Sequence, residues 1–348
     1  MIETRVGLVG CGTVGRGLVE LFGSKSSYYG EKYGVTFKLI FVTDVMKGTA
    51  FADEGLDARS LLTSLEGGRN LSLESFGRAS GASLPELLSV ARLDVLCEAA
   101  PTNYKTGEPG MTILKSSLSA GVSAVTSSKG AIGLDMAGLK SLARGNGAIL
   151  RYESSVMSGT PLINLVRGPL AGCDVLRVEG ILNGTTNYIL TKMESGMSYR
   201  DALAEAQKLG YAEADPTGDV EGFDAAVKVC IMANEFFGKH LPIDGVRRTG
   251  ITGVTAEDVA EASRSGARIK LIAGVERLGA EVSGYVGPRR IEASNPLASI
   301  SGATNAVTIT TDNLGDVTII GPGAGKLETA QGMVSDILNI VLLKHGCK

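Results

Sequence analysis

The feature that most constrains this chain is a short run of glycines near its start. Gly10, Gly12 and Gly15 form Gly-x-Gly-x-x-Gly. An apolar stretch at residues 5–9 precedes them, and an amphipathic stretch follows to about Phe22. Strand, glycine turn and helix in that order turn a common pattern into a phosphate cradle. Gly10 permits the tight turn, Gly12 lets backbone approach a pyrophosphate, and Gly15 lets helix and strand pack closely. The helix start, with Thr13 and Val14 in its first turn, adds unpaired N–H donors and a positive dipole end. A glycine-rich turn that holds nothing is the plainer alternative.

The next segments fit the same plan. Residues 37–42 read as a second buried strand ending at Asp44, and 94–99 and 123–126 as later ones. Residues 24–34 read as a loop or helix extension, and 106–120 and 134–143 as helices. Strands alternating with helices predict a doubly wound, Rossmann-type parallel sheet. Asp44 has two open readings. An acid there accepts from the ribose hydroxyls of NAD and repels the extra phosphate of NADP. It also suits capping of the turn that follows. Lys47 is near enough to reverse the preference, so NAD and NADP both remain open.

Beyond about residue 150 the texture changes. Residues 154–161 are small and lead into a helix with Pro161 in its first turn. A strand at 175–182 precedes a helix at 198–209, with Ser198 as N-cap and Gly210 as stop, and a second helix at 221–237. Strand-like runs near 269–275, 282–286, 306–310 and 317–320 predict an α+β domain with a mixed sheet. A helix at 327–343 follows the turn Gly321-Pro322-Gly323-Ala324-Gly325. The expected organisation is a dinucleotide-binding domain at 1–150, completed by 321–348, and a substrate-binding and dimerisation domain at 151–320.

Composition narrows the chemistry. With 34 basic and 37 acidic residues, the net charge is −3. The basic excess of a nucleic-acid binder is missing. No apolar run approaches the roughly 18 residues of a membrane span, and no secretory pattern opens the chain. The five Cys, at 11, 97, 173, 230 and 347, lack a Cys-x-x-Cys pair, so free thiols in a cytoplasmic protein are expected. Only two His are present, which leaves acid–base work to Lys, Asp, Glu or Tyr.

Four further segments carry a resemblance. They are Glu98-Ala99-Ala100-Pro101-Thr102-Asn103, Thr126-Ser127-Ser128-Lys129-Gly130, the run from Gly180 through Asn183-Gly184-Thr185-Thr186 to Leu190, and the run from Ala206 through Asp224 to Lys228. Over nearly its full length the chain resembles the homoserine dehydrogenases. Ser127-Ser128 departs from that family's usual Ala-Asn before the lysine. The resemblance implies NAD(P)-dependent interconversion of L-aspartate 4-semialdehyde and L-homoserine, within threonine, methionine and isoleucine biosynthesis. It also implies a homodimer. The chain stops soon after its last helix, so a short form without a C-terminal ACT-type regulatory module is expected.

Residue roles follow from the same resemblance. Asp224 and Lys228 stand one helical turn apart, which alone is as consistent with a surface ion pair. The family match makes Lys228 the proton donor, with Lys129 in support, and Asp224 a substrate contact. A desolvated lysine can have its pKa lowered for this task. By carry-over, Glu213 and Asp219 hold the substrate ammonium, and Tyr211, Asn183, Gly184 and Thr185 line the pocket. Thr102, Lys129, Gly210 and Gly325 join the cofactor set. The turn at 321–325 fits a plain domain crossing equally well. Backbone carbonyls of Glu153, Val156, Ser158 and Thr160 correspond to a monovalent-cation (Na+) site, and the same segment reads as an interdomain hinge.

Two rival functions remain. A semialdehyde dehydrogenase needs an activated Cys nucleophile, and none of the five Cys has a convincing catalytic context. A dinucleotide-sensing regulator needs the first domain but not the cluster of Glu213, Asp219, Asp224 and Lys228.

Overall fold

A computed structural model describes residues 1–68, 70–71 and 82–346; Cys347 lies outside them. The chain forms two compact units, Met1–Gly159 with Gly325–Lys348, and Thr160–Ala324.

In chain order the first unit contains β1 (Ile2–Val9), α1 (Thr13–Ser24), α2 (Ser26–Tyr33), β2 (Val35–Asp44), β3 (Gly48–Phe51), α3 (Ala58–Glu66) and α4 (Leu84–Ala91). It continues with β4 (Val95–Glu98), α5 (Gly110–Ser119), β5 (Ser123–Thr126), α6 (Lys129–Gly145), β6 (Leu150–Arg151) and α7 (Ser154–Met157). The sheet order is β3-β2-β1-β4-β5-β6. Every neighbouring pair is parallel except β2 with β3. Val6 and Leu8 of β1, Leu39 and Val42 of β2, and Val95 of β4 share one core with Leu18 and Val19 of α1.

The second unit contains α8 (Ile163–Arg167), β7 (Val175–Ile181), α9 (Gly184–Glu194), α10 (Tyr199–Lys208), α11 (Thr217–Val220) and α12 (Phe223–Phe237). Then come β8 (Arg247–Arg248), α13 (Ala256–Arg264), β9 (Ala267–Leu278), β10 (Glu281–Glu292), β11 (Thr304–Thr311) and β12 (Gly315–Pro322). This sheet runs β12-β11-β7-β9-β10-β8 and is antiparallel apart from β10 with β8. Helix α12 packs on β9 and β10, and α13 on β9. The closing helix, α14 (Lys326–His345), belongs to the first unit, where Ala330, Met333, Val334 and Ile337 enter the same core as Val6.

The differences from the sequence reading have physical reasons. Residues 24–34 include a separate helix, α2, anchored by buried Tyr29 against Phe37, with ring centroids 5.2 Å apart. The antiparallel β3 was not expected, because four residues are too few for a period to register. Helices α4 and α13 were also missed, although both carry capping boxes, Ser83 with Glu86 and Thr255 with Asp258. Pro161 lies just before α8 rather than inside its first turn. Strands β9 and β10 are longer than expected because their ends carry exposed charges and Pro288. Among the described residues, no helix is long and apolar enough to cross a membrane.

Candidate active site

In the first unit, β1 ends at Val9 and α1 begins at Thr13, so the glycine run forms the turn between them. Gly10 has φ +91°, and a Cβ there would lie 2.5 Å from the backbone of Ala99. A Cβ on Gly15 would lie 2.2 Å from the Gly10 carbonyl oxygen. Gly12 is different: its Cβ would meet nothing within 4 Å. Gly12 and Thr13 are exposed, and α1 begins without a side-chain cap. Two glycines are therefore required by packing. The third leaves an open approach to uncapped N–H groups.

Asp44 closes this turn from β2. One carboxylate oxygen accepts from Cys11 N at 2.8 Å, and the other from Met46 N at 2.9 Å and Lys47 N at 3.1 Å. Burial raises its pKa, but these donors and the Lys47 charge outweigh burial and hold the carboxyl below its usual range. Lys47 turns into the glycine loop, donating to the Cys11 carbonyl at 2.8 Å. Asp44 thus caps its own turn and braces the cradle.

The turn leading into α6 rests on a buried carboxyl that the sequence reading did not single out. Glu98, at the end of β4, has no exposed surface. It accepts from the Thr126 hydroxyl and, at 2.9 Å, from Ala100 N. Burial pushes its pKa up to about 7, against those two bonds. The Thr126 hydroxyl accepts from Ser128 N at 2.9 Å, and Ser128 Oγ meets Thr102 Oγ1 at 3.0 Å. Lys129, half-buried, is the first residue of α6. The Ser127-Ser128 pair that departs from the family pattern therefore places one serine in a buried network.

In the second unit Asp219, Asp224 and Lys228 converge, and the bonds that join them do not involve Glu213. Asp224 and Lys228 lie on α12 and are about 6% and 5% exposed. Lys228 Nζ donates to Asp224 Oδ2 at 2.7 Å and to the Leu182 carbonyl, just beyond β7, at 2.6 Å. A surface ion pair is excluded by that burial. Asn183 Nδ2 donates to Asp219 Oδ1 at 2.7 Å and to Asp224 Oδ2 at 3.1 Å. Its Oδ1 accepts from Thr186 N at 2.9 Å and so caps α9. Burial, and then the Asp224 charge, raise the Asp219 pKa, opposed by Asn183, Lys228 and Thr185. The Thr185 hydroxyl donates to the Tyr211 carbonyl at 2.5 Å. Tyr211 is 47% exposed and its ring lies 4.9 Å from that of Tyr188. Glu213 is exposed. Gly184 opens α9, and Gly210, with φ +77°, closes α10 in this unit rather than the first.

Glu153, Val156 and Ser158 are buried in the first unit, and Thr160 is buried in the second. Glu153 N donates to Asp336 Oδ2 at 2.7 Å. Ser158 holds φ +56° and ψ −121°, a costly conformation for a residue with a Cβ. In the terminal turn, a Cβ on Gly323 would collide with the Asn305 amide, and one on Gly325 with Glu328. A Cβ at either position would require the facing side chain to shift, and Gly325 also holds φ +140°. Asn305 is fully buried, with neither amide atom partnered, and the sequence reading passed it over. Cys11 and Cys230 are buried thiols with pKa pushed up by burial to about 11 and about 12. Neither is an activated nucleophile.

A glycine cradle on a doubly wound sheet, in a chain that also buries a lysine–carboxylate pair, has the parts that a dinucleotide-dependent oxidoreductase requires. Comparison with known proteins narrows the class. The family model for homoserine dehydrogenase matches residues 161–338. The NAD(+)-dependent homoserine dehydrogenase of Pseudomonas canavaninivorans is 42% identical over 341 residues, covering 98% of this chain and 97% of that protein. The homoserine dehydrogenase of Methanocaldococcus jannaschii is 36% identical, covering 96% and 97%. A hyperthermophilic archaeal homoserine dehydrogenase in complex with NADPH aligns with TM-score 0.84 at 31% identity, covering 98% of each chain. The chain belongs to the homoserine dehydrogenase family.

Proposed function

We propose that the protein interconverts L-aspartate 4-semialdehyde and L-homoserine using NAD or NADP. The observation that carries this is the buried Lys228–Asp224 pair tied to Asp219 through Asn183. A desolvated lysine–carboxylate pair favours an enzyme over a sensor without turnover, because such groups concentrate at reacting sites.

The residues fit a dinucleotide. Gly12 and the uncapped start of α1 suit its pyrophosphate, with Gly10, Thr13, Val14 and Gly15 shaping the turn. Thr102, Lys129, Gly210 and Gly325 complete the proposed contact set. When bound, the dinucleotide accepts or donates the electron pair at the reacting carbon. Asp44 supports a preference for NAD. Its carboxyl is held ionised at the end of β2, and Lys47 is drawn to the Cys11 carbonyl.

In the direction of reduction, Lys228 gives a proton to the oxygen as negative charge develops there. Asp224 and the Leu182 carbonyl hold the ammonium in place for that transfer. Lys129 supports the same charge. Glu213 and Asp219 receive the substrate ammonium, and Tyr211, Gly184 and Thr185 line the remaining walls. Carbonyls of Glu153, Val156, Ser158 and Thr160 bind a sodium ion in this reading. The strained Ser158 turn supports it, because such strain persists where geometry serves a ligand. The reading also includes a cytoplasmic homodimer formed through the second unit, which light scattering tests.

The deciding assay follows absorbance of the reduced nicotinamide with L-homoserine and either NAD or NADP. Homoserine-dependent reduction, faster with NAD, is expected. Silence with both, repeated in reverse with aspartate semialdehyde, would overturn the assignment.

A further inference from the structure

An asparagine side chain has two N–H donors and one carbonyl oxygen with two lone pairs. In Asn183 both N–H donors are used inside the protein. The oxygen accepts from Thr186 N at 2.9 Å, and the single Thr186 hydroxyl proton goes either to it, at 3.1 Å, or to the Asn183 backbone carbonyl, at 3.0 Å. The nitrogen donates to Asp219 at 2.7 Å and to Asp224 at 3.1 Å. The side chain is 5% exposed. Such a group has no N–H left to donate to a substrate.

Its two carboxylate partners come from different elements and carry the same charge. Without a donor between them, like-charge repulsion and burial favour separating them or protonating one. Asp224 Oδ2, the oxygen that takes the Asn183 N–H, also takes Lys228 Nζ. Lys228 bonds in addition to the carbonyl of Leu182, the residue next to Asn183. A shift of the side-chain amide therefore moves one acceptor of the lysine, Asp224, while the backbone beside it carries the other.

We infer that Asn183 is a positioning residue whose amide clamps the Asp219 and Asp224 carboxylates and so sets the orientation of Lys228. The inference rests on the reading of Lys228 as proton donor, and it replaces a substrate contact for the Asn183 side chain. The groups acting on Asp219 are Asp224 and Lys228 from α12, and Asn183 and Thr185 at the start of α9.

The competing role is capping of α9, and two variants separate the roles. Ser and Asp are both good N-caps, but neither supplies an amide donor. N183S keeps the cap and adds no charge; N183D keeps it and adds a third carboxyl. In N183S, dinucleotide affinity measured by fluorescence titration stays at the wild-type value. Its kcat falls roughly 10²-fold, with a smaller change in KM, and the acid limb of kcat/KM moves to higher pH. N183D falls further.

A readout independent of activity comes from stability. Asp219 has a folded pKa above its unfolded value, so its contribution to stability declines as pH rises between the two. Removing the amide donor widens that gap. The Tm deficit of N183S relative to wild type should therefore grow as pH rises above 3.8, the ordinary value of this carboxyl. A deficit independent of pH, with wild-type kcat, would reduce Asn183 to a helix cap and overturn the inference. If the wild-type protein fails to oxidise homoserine, the functional reading falls. The pH dependence of the deficit then decides the clamp by itself.

Discussion

The two units build their sites from different materials. The first unit uses backbone: a turn of three glycines, the bare start of α1, and one aspartate that braces the turn. The second uses side chains delivered from the start of α9, α11 and α12, with partners 41 and 46 positions apart in sequence. A backbone cradle should be inseparable from its fold, because the atoms that hold the ligand also hold the turn. A side-chain cluster should lose chemistry while the neighbouring unit still binds its ligand.

The largest expected effect tests the second half of that contrast. Lys228→Ala should lower kcat by roughly 10² to 10⁴-fold, the range for loss of a positioned general acid. Asp224 then loses its buried cation, so Tm should fall as well. Dinucleotide titration should be unchanged, since the glycine cradle is in the other unit. Steady-state kinetics beside fluorescence titration checks both. Turnover near wild type would remove Lys228 from the mechanism.

Gly15→Ala tests the other half. The new Cβ would lie 2.2 Å from the Gly10 carbonyl oxygen, so β1 and α1 must separate. A loss of about 3 kcal/mol in stability is expected, together with loss of dinucleotide binding. If Tm falls while affinity stays, fold and binding are separable there and the contrast fails.

Legibility follows the same division. The glycine cradle could be read because its chemistry is local, six consecutive residues between a strand and a helix. Asp224 and Lys228 could be paired because a helix puts i and i+4 on one face. Their burial could not be read, since it depends on β9 and β10 packing over α12. Asn183 looked like a pocket residue because asparagine before a helix carries no mark of which carboxylates its amide will find. The unpartnered amide of buried Asn305 was invisible for a similar reason: only the fold brings Gly323 onto it. Helices α4 and α13 are a different case. Their Ser83–Glu86 and Thr255–Asp258 boxes are plain local signals, and the segments were short enough to be passed over.

The smallest of the three effects concerns Glu98, which complicates the contrast because it places a side-chain device beneath the backbone cradle. Its carboxyl has an ordinary value of 4.5, and burial raises it to about 7 in the folded protein. Below pH 4.5 both folded and unfolded states hold the proton. Between 4.5 and about 7 the unfolded chain releases it while the folded protein keeps it, so stability falls as pH rises. Above about 7 both are ionised and the penalty is constant. A shift of this size corresponds to at most about 3 kcal/mol, less whatever the interior relaxes. Glu98→Gln removes the ionisation and keeps the shape, so its stability should lack that decline. Denaturant midpoints for both proteins across the window measure it. Parallel curves would mean that the Thr126 hydroxyl and Ala100 N–H already stabilise the ionised form. In that case the Thr126–Ser128–Lys129 turn rests on a buried charge rather than on a neutral acid.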